Sequence, residues 1–261
     1  MYIDDLVIFS KTLKDHKKHL SIIFSLFDRF EISLNRVKTY LEYLSIILLD
    51  QWVNEFSMII SEKWIAVIGE LKFLETLKNL EIYLNLTDWL HQYILYYAQL
   101  IKSLQNKKMT LLCKSSTAGK SWKKYSKKTW IDKSSVLKHE TFEDIQKIFD
   151  KFNFLHHQDS NCWLYVDLDV SKQFEFSVMI YHMQDDKNEF LDHIIKKNHN
   201  KIQSIFFLNK LLTDAETWYW STELKITCMI WTVKKIHHII SRSLIETVIW
   251  IDHSIILQIL K

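Results

Sequence analysis

The chain has 261 residues, of which 48% are hydrophobic and 14% aromatic, and its formal net charge is only +3. That much apolar surface suffices for one large folded domain or two modest ones. The small net charge excludes attraction of nucleic acid by the field of the whole molecule, so any such affinity must come from local clusters of lysine.

The cysteine, apolar and N-terminal patterns exclude further classes of protein. The three cysteines have no C-x-x-C spacing, so they predict reduced thiols in an intracellular protein rather than a structural zinc site. Residues 1–10 lack the basic region of a signal peptide, and the apolar stretches are shorter than a membrane span. We therefore expect no signal peptide and no membrane anchor, with the protein in the nucleus or cytoplasm.

Glycine and proline are unusually scarce. Glycine occurs twice and proline not at all, whereas an average chain has roughly 7% glycine and 5% proline. Other residues must then fill positions that need positive φ, at a cost in stability. We interpret this scarcity as a first sign of sequence decay.

The first part of the chain is predicted to start with a hairpin and continue mainly with helices. Thr76 is expected to cap one of these helices. From the hydrophobic periodicity, the predicted elements are two short strands in residues 2–10, a helix from Leu13 to Phe30, short strands in residues 34–60, and two or three helices between Ser61 and Leu104.

The second part is predicted to be a linker followed by a mixed α/β segment. Strands followed by a helix and a further strand indicate a mixed sheet with flanking helices. The predicted elements are a linker from Asn106 to Trp130, a helix in about residues 141–152, paired strands Trp163–Asp169 and Phe174–Met183, a helix Thr213–Ile240 and a strand Thr247–Asp252.

Two adjacent carboxylates, Asp4 and Asp5, lie at the predicted hairpin turn. Adjacent carboxylates are costly unless a cation lies between them, and Mg²⁺ bound to phosphate oxygens often fills that role. The alternative is an exposed acidic turn, which the dipeptide by itself favours.

The surrounding sequence resembles the reverse transcriptases of gypsy-type LTR retrotransposons. The segments that carry the resemblance are YIDDLVIFSKT at residues 2–12, LLDQ at 48–51, YLNLTDWL at 83–90 and YYAQ at 96–99. The resemblance implies that Asp4 and Asp5 bind Mg²⁺ for phosphoryl transfer. It also implies that a third carboxylate and the nucleotide-binding fingers lie upstream, so we expect no polymerase activity from this chain alone.

Asp167 and Asp169 alternate along a predicted strand and therefore lie on one of its faces. By itself this pattern fits a solvated strand face as well as a functional site. The segment DLDVSK at residues 167–172, however, resembles the first catalytic strand of the retrotransposon ribonuclease H (RNase H). Further segments with this resemblance are LLTDAET at 211–217, TE at 222–223 and IDHS at 251–254.

In that family a cage of carboxylates holds two Mg²⁺ ions. The resemblance implies that Asp169 is the first carboxylate and Asp252 the third, whereas the second position, a glutamate in the family, is Lys225 here. Glu223 cannot simply replace it, because two helical positions rotate a side chain by about 200°. The fourth family carboxylate would lie beyond Lys261. We therefore expect RNase H activity to be absent or severely weakened.

The predicted linker carries eight lysines and no acidic residue between Asn106 and Trp130. These lysines could follow a phosphate backbone while aromatic rings stack on bases. The alternative is a solvated linker without a binding role. The candidate nucleic-acid-binding residues are Lys107, Lys108, Lys120, Trp122, Lys123, Lys124, Tyr125, Lys127 and Lys128.

Together these patterns predict an α+β protein with three parts. They are a partial reverse-transcriptase palm and thumb in residues 1–105, a basic connection in 106–139, and an RNase H-like mixed-sheet domain in 140–261. The family activities are RNA-directed DNA polymerisation and cleavage of RNA in RNA–DNA hybrids, with Mg²⁺ as cofactor, and we expect this copy to be catalytically degenerate. The alternatives are a co-opted nucleic-acid-binding module and a residual Mg²⁺-dependent nuclease. The sequence does not define an oligomeric state.

Overall fold

The computed structural model describes residues 6–41, 43–70, 76–113, 122–131, 143–144, 147–148, 154–171, 175–184 and 201–252. The chain divides into two compact units, Met1–Leu44 and Ser45–Lys261. The predicted turn at Asp4 and Asp5 and most of the predicted helix at 141–152 lie outside the described residues.

The first unit is built around helix α1, Leu13–Arg29, which the apolar periodicity predicted. Thr12 caps its N-terminus, since the Thr12 hydroxyl oxygen accepts a hydrogen bond from the Asp15 amide at 3.1 Å. The described part of the predicted hairpin, residues 6–10, is not a strand. That part of the prediction is wrong, because these residues have no strand partner among the described residues and a strand needs one.

A small antiparallel sheet opens the second unit, with its strands in the order β1-β2-β3-β4. The turn between β1 and β2 places Leu49 and Asp50 at φ values of 49° and 60°. Glycine takes this conformation freely and other residues at a cost, so the turn carries the strain expected from glycine scarcity. The described residues between 34 and 45 form no strand, and Asn35 instead caps a 3-10 turn, Arg36–Lys38. The strands are β1 Ile46–Leu48, β2 Gln51–Val53, β3 Ser57–Ile60 and β4 Phe154–His156.

Four α-helices lie between residues 62 and 128 in the described part of the chain, and their apolar sides contribute to one core. As predicted, Thr76 caps α3, accepting a hydrogen bond from the Asn79 amide at 3.3 Å. The core includes the buried residues Leu80, Tyr83, Ile101 and Leu104. The helices are α2 Glu62–Glu70, α3 Leu77–Trp89, α4 Tyr97–Cys113 and α5 Trp122–Lys128.

The segment predicted as a linker is helical at both of its described ends. Helix α4 continues through Cys113, and α5 lies within the lysine-rich segment. The described parts of the segment are therefore not an extended linker, because lysine is a good helix former and because Leu111 within the segment is buried in the helical core.

The second sheet is mixed, with its strands in the order β7-β6-β5-β8. Strand β5 pairs antiparallel with β6 and parallel with β8, and β6 pairs antiparallel with β7. The parallel pair needs a crossover, which helix α6 supplies by packing Leu224, Cys228 and Ile236 against the sheet. The elements are β5 Leu164–Val170, β6 Glu175–Met183, β7 Ile202–Leu211, α6 Ser221–Ile240 and β8 Thr247–Ile251.

The α+β class predicted from the sequence is confirmed, and so are the paired strands β5 and β6. Within the mixed sheet and its helix, two details differ from the prediction. Strand β7 was missed, and the helix predicted from Thr213 begins only at Ser221. Within the described residues, no helix combines the length and apolar character that crossing a membrane requires.

Candidate functional site

Two of the predicted site residues, Asp169 and Asp252, lie at the edge of the mixed sheet that is formed by the carboxyl ends of β5 and β8. The last pair in the parallel register of β5 and β8 is Leu168 with Ile251, so Asp169 and Asp252 are the next residue on each strand. Parallel strands end at a common edge, which brings these two residues together although they are far apart in the sequence.

Asp167 lies on the same face of β5 as Asp169. The two residues pair with Met179 and Ser177 of β6, two positions apart, as the alternation predicts. Burial, and then the negative charge of Asp169, raise the pKa of Asp167. The edge is therefore a place where negative charges accumulate.

Lys225 of helix α6 also reaches this edge. Its ammonium group donates a hydrogen bond to the Asp252 carbonyl oxygen and lies 3.6 Å from Oδ2 of the same residue. The Lys225 side chain is only 14% exposed, whereas that of Asp252 is fully exposed. Glu223 is engaged elsewhere, because its carboxylate accepts a hydrogen bond from the Trp220 amide at the start of the helix.

A short segment before and within α4 lies against the same sheet, which sequence reasoning did not foresee. The Tyr96 hydroxyl donates to Oδ2 of Asp169 at 2.8 Å. Tyr96 has a φ of 59°, a conformation that is costly for a tyrosine. Burial, and then the hydrogen bond to Asp169, raise the pKa of the Tyr96 hydroxyl to about 12, so it acts as a hydrogen-bond donor at neutral pH.

Glu175 of β6 contacts this segment. Sequence reasoning had not placed Glu175 in the site. Its carboxylate accepts hydrogen bonds from the Gln99 amide at 2.8 Å and from the Ser177 hydroxyl at 3.3 Å. Burial raises the pKa of Glu175 to about 7. The available signal was the alternation along β6, which puts Glu175 and Ser177 on the face of β6 that adjoins Asp169.

The described residues do not fit a two-metal cage. Mg²⁺ prefers oxygen ligands in near-octahedral geometry. At this edge Asp252 has an ammonium group as its neighbour, and one Asp169 oxygen accepts a hydrogen bond from Tyr96. Across the described ranges, no group of three or more histidine, cysteine, aspartate or glutamate residues is placed to hold a metal ion. Asp4 and Asp5 lie outside these ranges.

The candidate nucleic-acid-binding residues lie on two helices. Lys107 and Lys108 are half-buried on α4, and Lys127 and Lys128 are exposed on α5. Tyr125 packs against the helical core, and its hydroxyl donates to the Leu111 carbonyl oxygen at 3.1 Å, so it serves mainly to join the two helices. Lys120 lies outside the described residues, as do the side chains of Trp122, Lys123 and Lys124.

Comparison with known proteins agrees with the fold of the mixed sheet. Residues 162–261 match the family described as the RNase H-like domain found in reverse transcriptase. No curated protein sequence gives a significant match.

Among solved structures, the foamy viral protease-reverse transcriptase in complex with an RNA/DNA hybrid is similar, with a TM-score of 0.66 and 17% sequence identity. The match covers 96% of this chain and 30% of that chain. The same viral protein in complex with dsDNA gives a TM-score of 0.65, 17% identity and coverage of 96% and 46%. The chain thus spans less than half the length of these solved chains. At this identity the likeness establishes the fold alone.

Proposed function

We propose that the chain is a gypsy-type retrotransposon reverse transcriptase and RNase H fragment that binds RNA–DNA hybrid but has lost metal-dependent cleavage. In this proposal residues 1–105 derive from the palm and thumb, with Asp4 and Asp5 as Mg²⁺ ligands of the polymerase-like part. Residues 106–139 form the connection, and residues 140–261 the nuclease-like domain. The protein would act in the nucleus or cytoplasm.

The observation that carries the loss of cleavage is the position of Lys225. Metal-dependent phosphodiester cleavage needs carboxylates that gather two dications at one place. Here an ammonium group contacts Asp252 at the edge that also holds Asp169. Removing one well-placed electrostatic contributor commonly costs on the order of a hundredfold to a thousandfold in rate. A positive charge in its place also opposes the approach of a dication.

The test is cleavage of a labelled RNA–DNA hybrid with Mg²⁺ or Mn²⁺ by the parent chain, by Asp169→Asn, by Lys225→Glu, and by Lys225→Glu combined with Asp169→Asn. We expect no cleavage by the parent, at most weak cleavage by Lys225→Glu, and none by the double variant. Strong cleavage by the parent that Asp169→Asn abolishes would contradict the proposal and favour a residual nuclease.

Binding of the hybrid is measured separately, without metal. Salt-dependent binding by a parent chain that does not cleave would support a nucleic-acid-binding role. A parent chain that neither binds nor cleaves would contradict the binding half of the proposal.

A further inference from the structure

The acidic edge of the mixed sheet raises the question of what balances its charge. Asp167 and Asp169 lie on one face of β5, and Asp252 follows the end of the neighbouring parallel strand. Like charges brought this close repel one another. In a metal-dependent nuclease fold, dications would relieve the repulsion.

Lys225 is placed to do so instead. Lysine is rarely buried unless it is paired, yet this side chain is only 14% exposed. The ammonium group is fixed by the carbonyl oxygen of Asp252, at the end of β8, and lies 3.6 Å from that residue's carboxylate. The contact also joins helix α6 to the end of the strand that follows it.

We propose that Lys225 is a built-in counterion for this acidic edge, so that the fold of the nuclease-like part does not depend on a divalent metal. The inference rests on the proposed function, since it assigns a structural role to the same altered site. Because the carboxylate of Asp252 is fully exposed, its direct ion pair contributes little. The proposed stabilisation comes from a largely buried positive charge at the end of the sheet that carries Asp169 and Asp252, and from the hydrogen bond to the strand end.

A second role for Lys225, as a ligand of a nucleic-acid phosphate, is less compatible with the geometry. The side chain is largely buried and its ammonium group is already engaged by Asp252. If Lys225 bound phosphate, removing its charge would weaken hybrid binding and leave thermal stability unchanged.

The test measures the thermal unfolding midpoint of the full chain in EDTA and in millimolar Mn²⁺. The parent should have the same midpoint in both. Lys225→Met removes the charge and keeps most of the side-chain length, so the midpoint should fall by about 2 to 4 °C in both conditions, as for a modest destabilisation of a domain this large. The midpoint of Lys225→Glu should be lower still in EDTA. It should recover part of this loss in Mn²⁺, because the variant adds a carboxylate that can bind the metal.

The controls separate a charge effect from general damage. Lys235→Met makes the same change on an exposed position of α6 and should leave the midpoint unaltered. Lys225→Arg keeps the charge, so its unfolding midpoint should be closer to that of the parent than the midpoint of Lys225→Met is. If Lys225→Glu does not fold, the double variant Asp169→Asn with Lys225→Met decides. A counterion role predicts that Lys225→Met costs less once Asp169 has lost its charge.

Three results would overturn the inference. The first is a parent midpoint that rises in Mn²⁺ and loses this response on Asp169→Asn. The second is an unchanged midpoint for Lys225→Met, and the third is an equal cost of Lys225→Met with and without Asp169→Asn. None of these readouts uses cleavage. Failure of the counterion role is therefore distinguishable from failure of the proposed function, which the cleavage and binding assays decide.

Discussion

Glu175 is an acidic residue whose side chain lies where an ionised carboxylate is unfavourable. It is only 1% exposed, and the hydrogen bonds from Gln99 and Ser177 offset part of the cost of burying its charge. Burial, with a further contribution from the charge of Asp169, keeps its pKa near 7. The residue therefore links protonation to the contact between α4 and the mixed sheet.

We predict that Glu175 makes the folded protein less stable as the pH rises from about 4.3, the usual pKa of an unfolded glutamate, to about 7. In this window the folded state keeps a proton that the unfolded state has lost, so the contribution is present at low pH and lost by neutral pH. For this one residue, the free energy of unfolding should change by at most about 1.4 kcal/mol per pH unit.

The measurement is the free energy of unfolding of the parent and of Glu175→Gln from pH 5 to pH 8. His156 and His182, whose pKa values burial lowers, act in the opposite direction, so the difference between parent and variant is the informative quantity. The variant should gain stability relative to the parent as the pH rises. A difference that does not vary with pH would refute the role of Glu175.

At the scale of single residues, the sequence reached only part of the site. Family resemblance identified Asp169, Asp252 and Lys225, which the structure brings to one edge. It did not reveal Tyr96 or Glu175, because their contacts join residues 73 and 76 positions apart. Such contacts depend on how α4 lies against the sheet, which no local pattern encodes.

Among the elements, those with strong local signals were predictable and those decided by tertiary context were not. Helix α1 and the capped helix α3 follow apolar spacing and a threonine cap. Strand β7 was missed, since it carries polar residues such as Gln203 and Asn209 among its apolar ones. Lysine content suggested a linker where packing of Leu111 favours helix.

Helices α4 and α5 give the proposed nucleic-acid contact a definite place. We predict that changing Lys107, Lys108, Lys127 and Lys128 to glutamine weakens hybrid binding and flattens its dependence on salt. Each phosphate contact that is lost should reduce the slope of log K against log salt concentration by roughly 0.7 to 0.9. The measurement is a binding titration at several salt concentrations.

A matched control removes the same charge elsewhere. Lys17 and Lys18 on α1 and Lys234 and Lys235 on α6 are exposed, and changing these four to glutamine alters the net charge equally. If both quadruple variants flatten the slope alike, binding depends on net charge alone. An unchanged slope in the first variant would return these lysines to the status of a solvated surface.

In the whole molecule, the unit Ser45–Lys261 combines the helical core and the mixed sheet. Strand β4 pairs with β3, and its residue Leu155 is buried in the helical core. Phe206 and Phe207 of β7 pack against that same core, and the Asn209 side-chain amide donates to the Ile94 carbonyl oxygen at 3.0 Å. Residues on both sides of the predicted connection thus stabilise each other.

We therefore predict that this unit unfolds in one cooperative transition and that Leu155→Ala destabilises all of it. Truncating a buried leucine typically costs about 2 to 5 kcal/mol, because it removes apolar contacts and leaves a cavity. Phe154→Ala on the same strand is the matched control, since Phe154 is 55% exposed and should cost much less. Two measurements check this for Leu155→Ala. Denaturant unfolding followed by far-UV circular dichroism reports mainly on the helices, and hydrogen exchange reports on amides of β5 and β6. Both should show the same loss in the free energy of unfolding. If the helical signal shifts while protection of the mixed sheet does not, the two parts fold independently and the packing around β4 does not couple them.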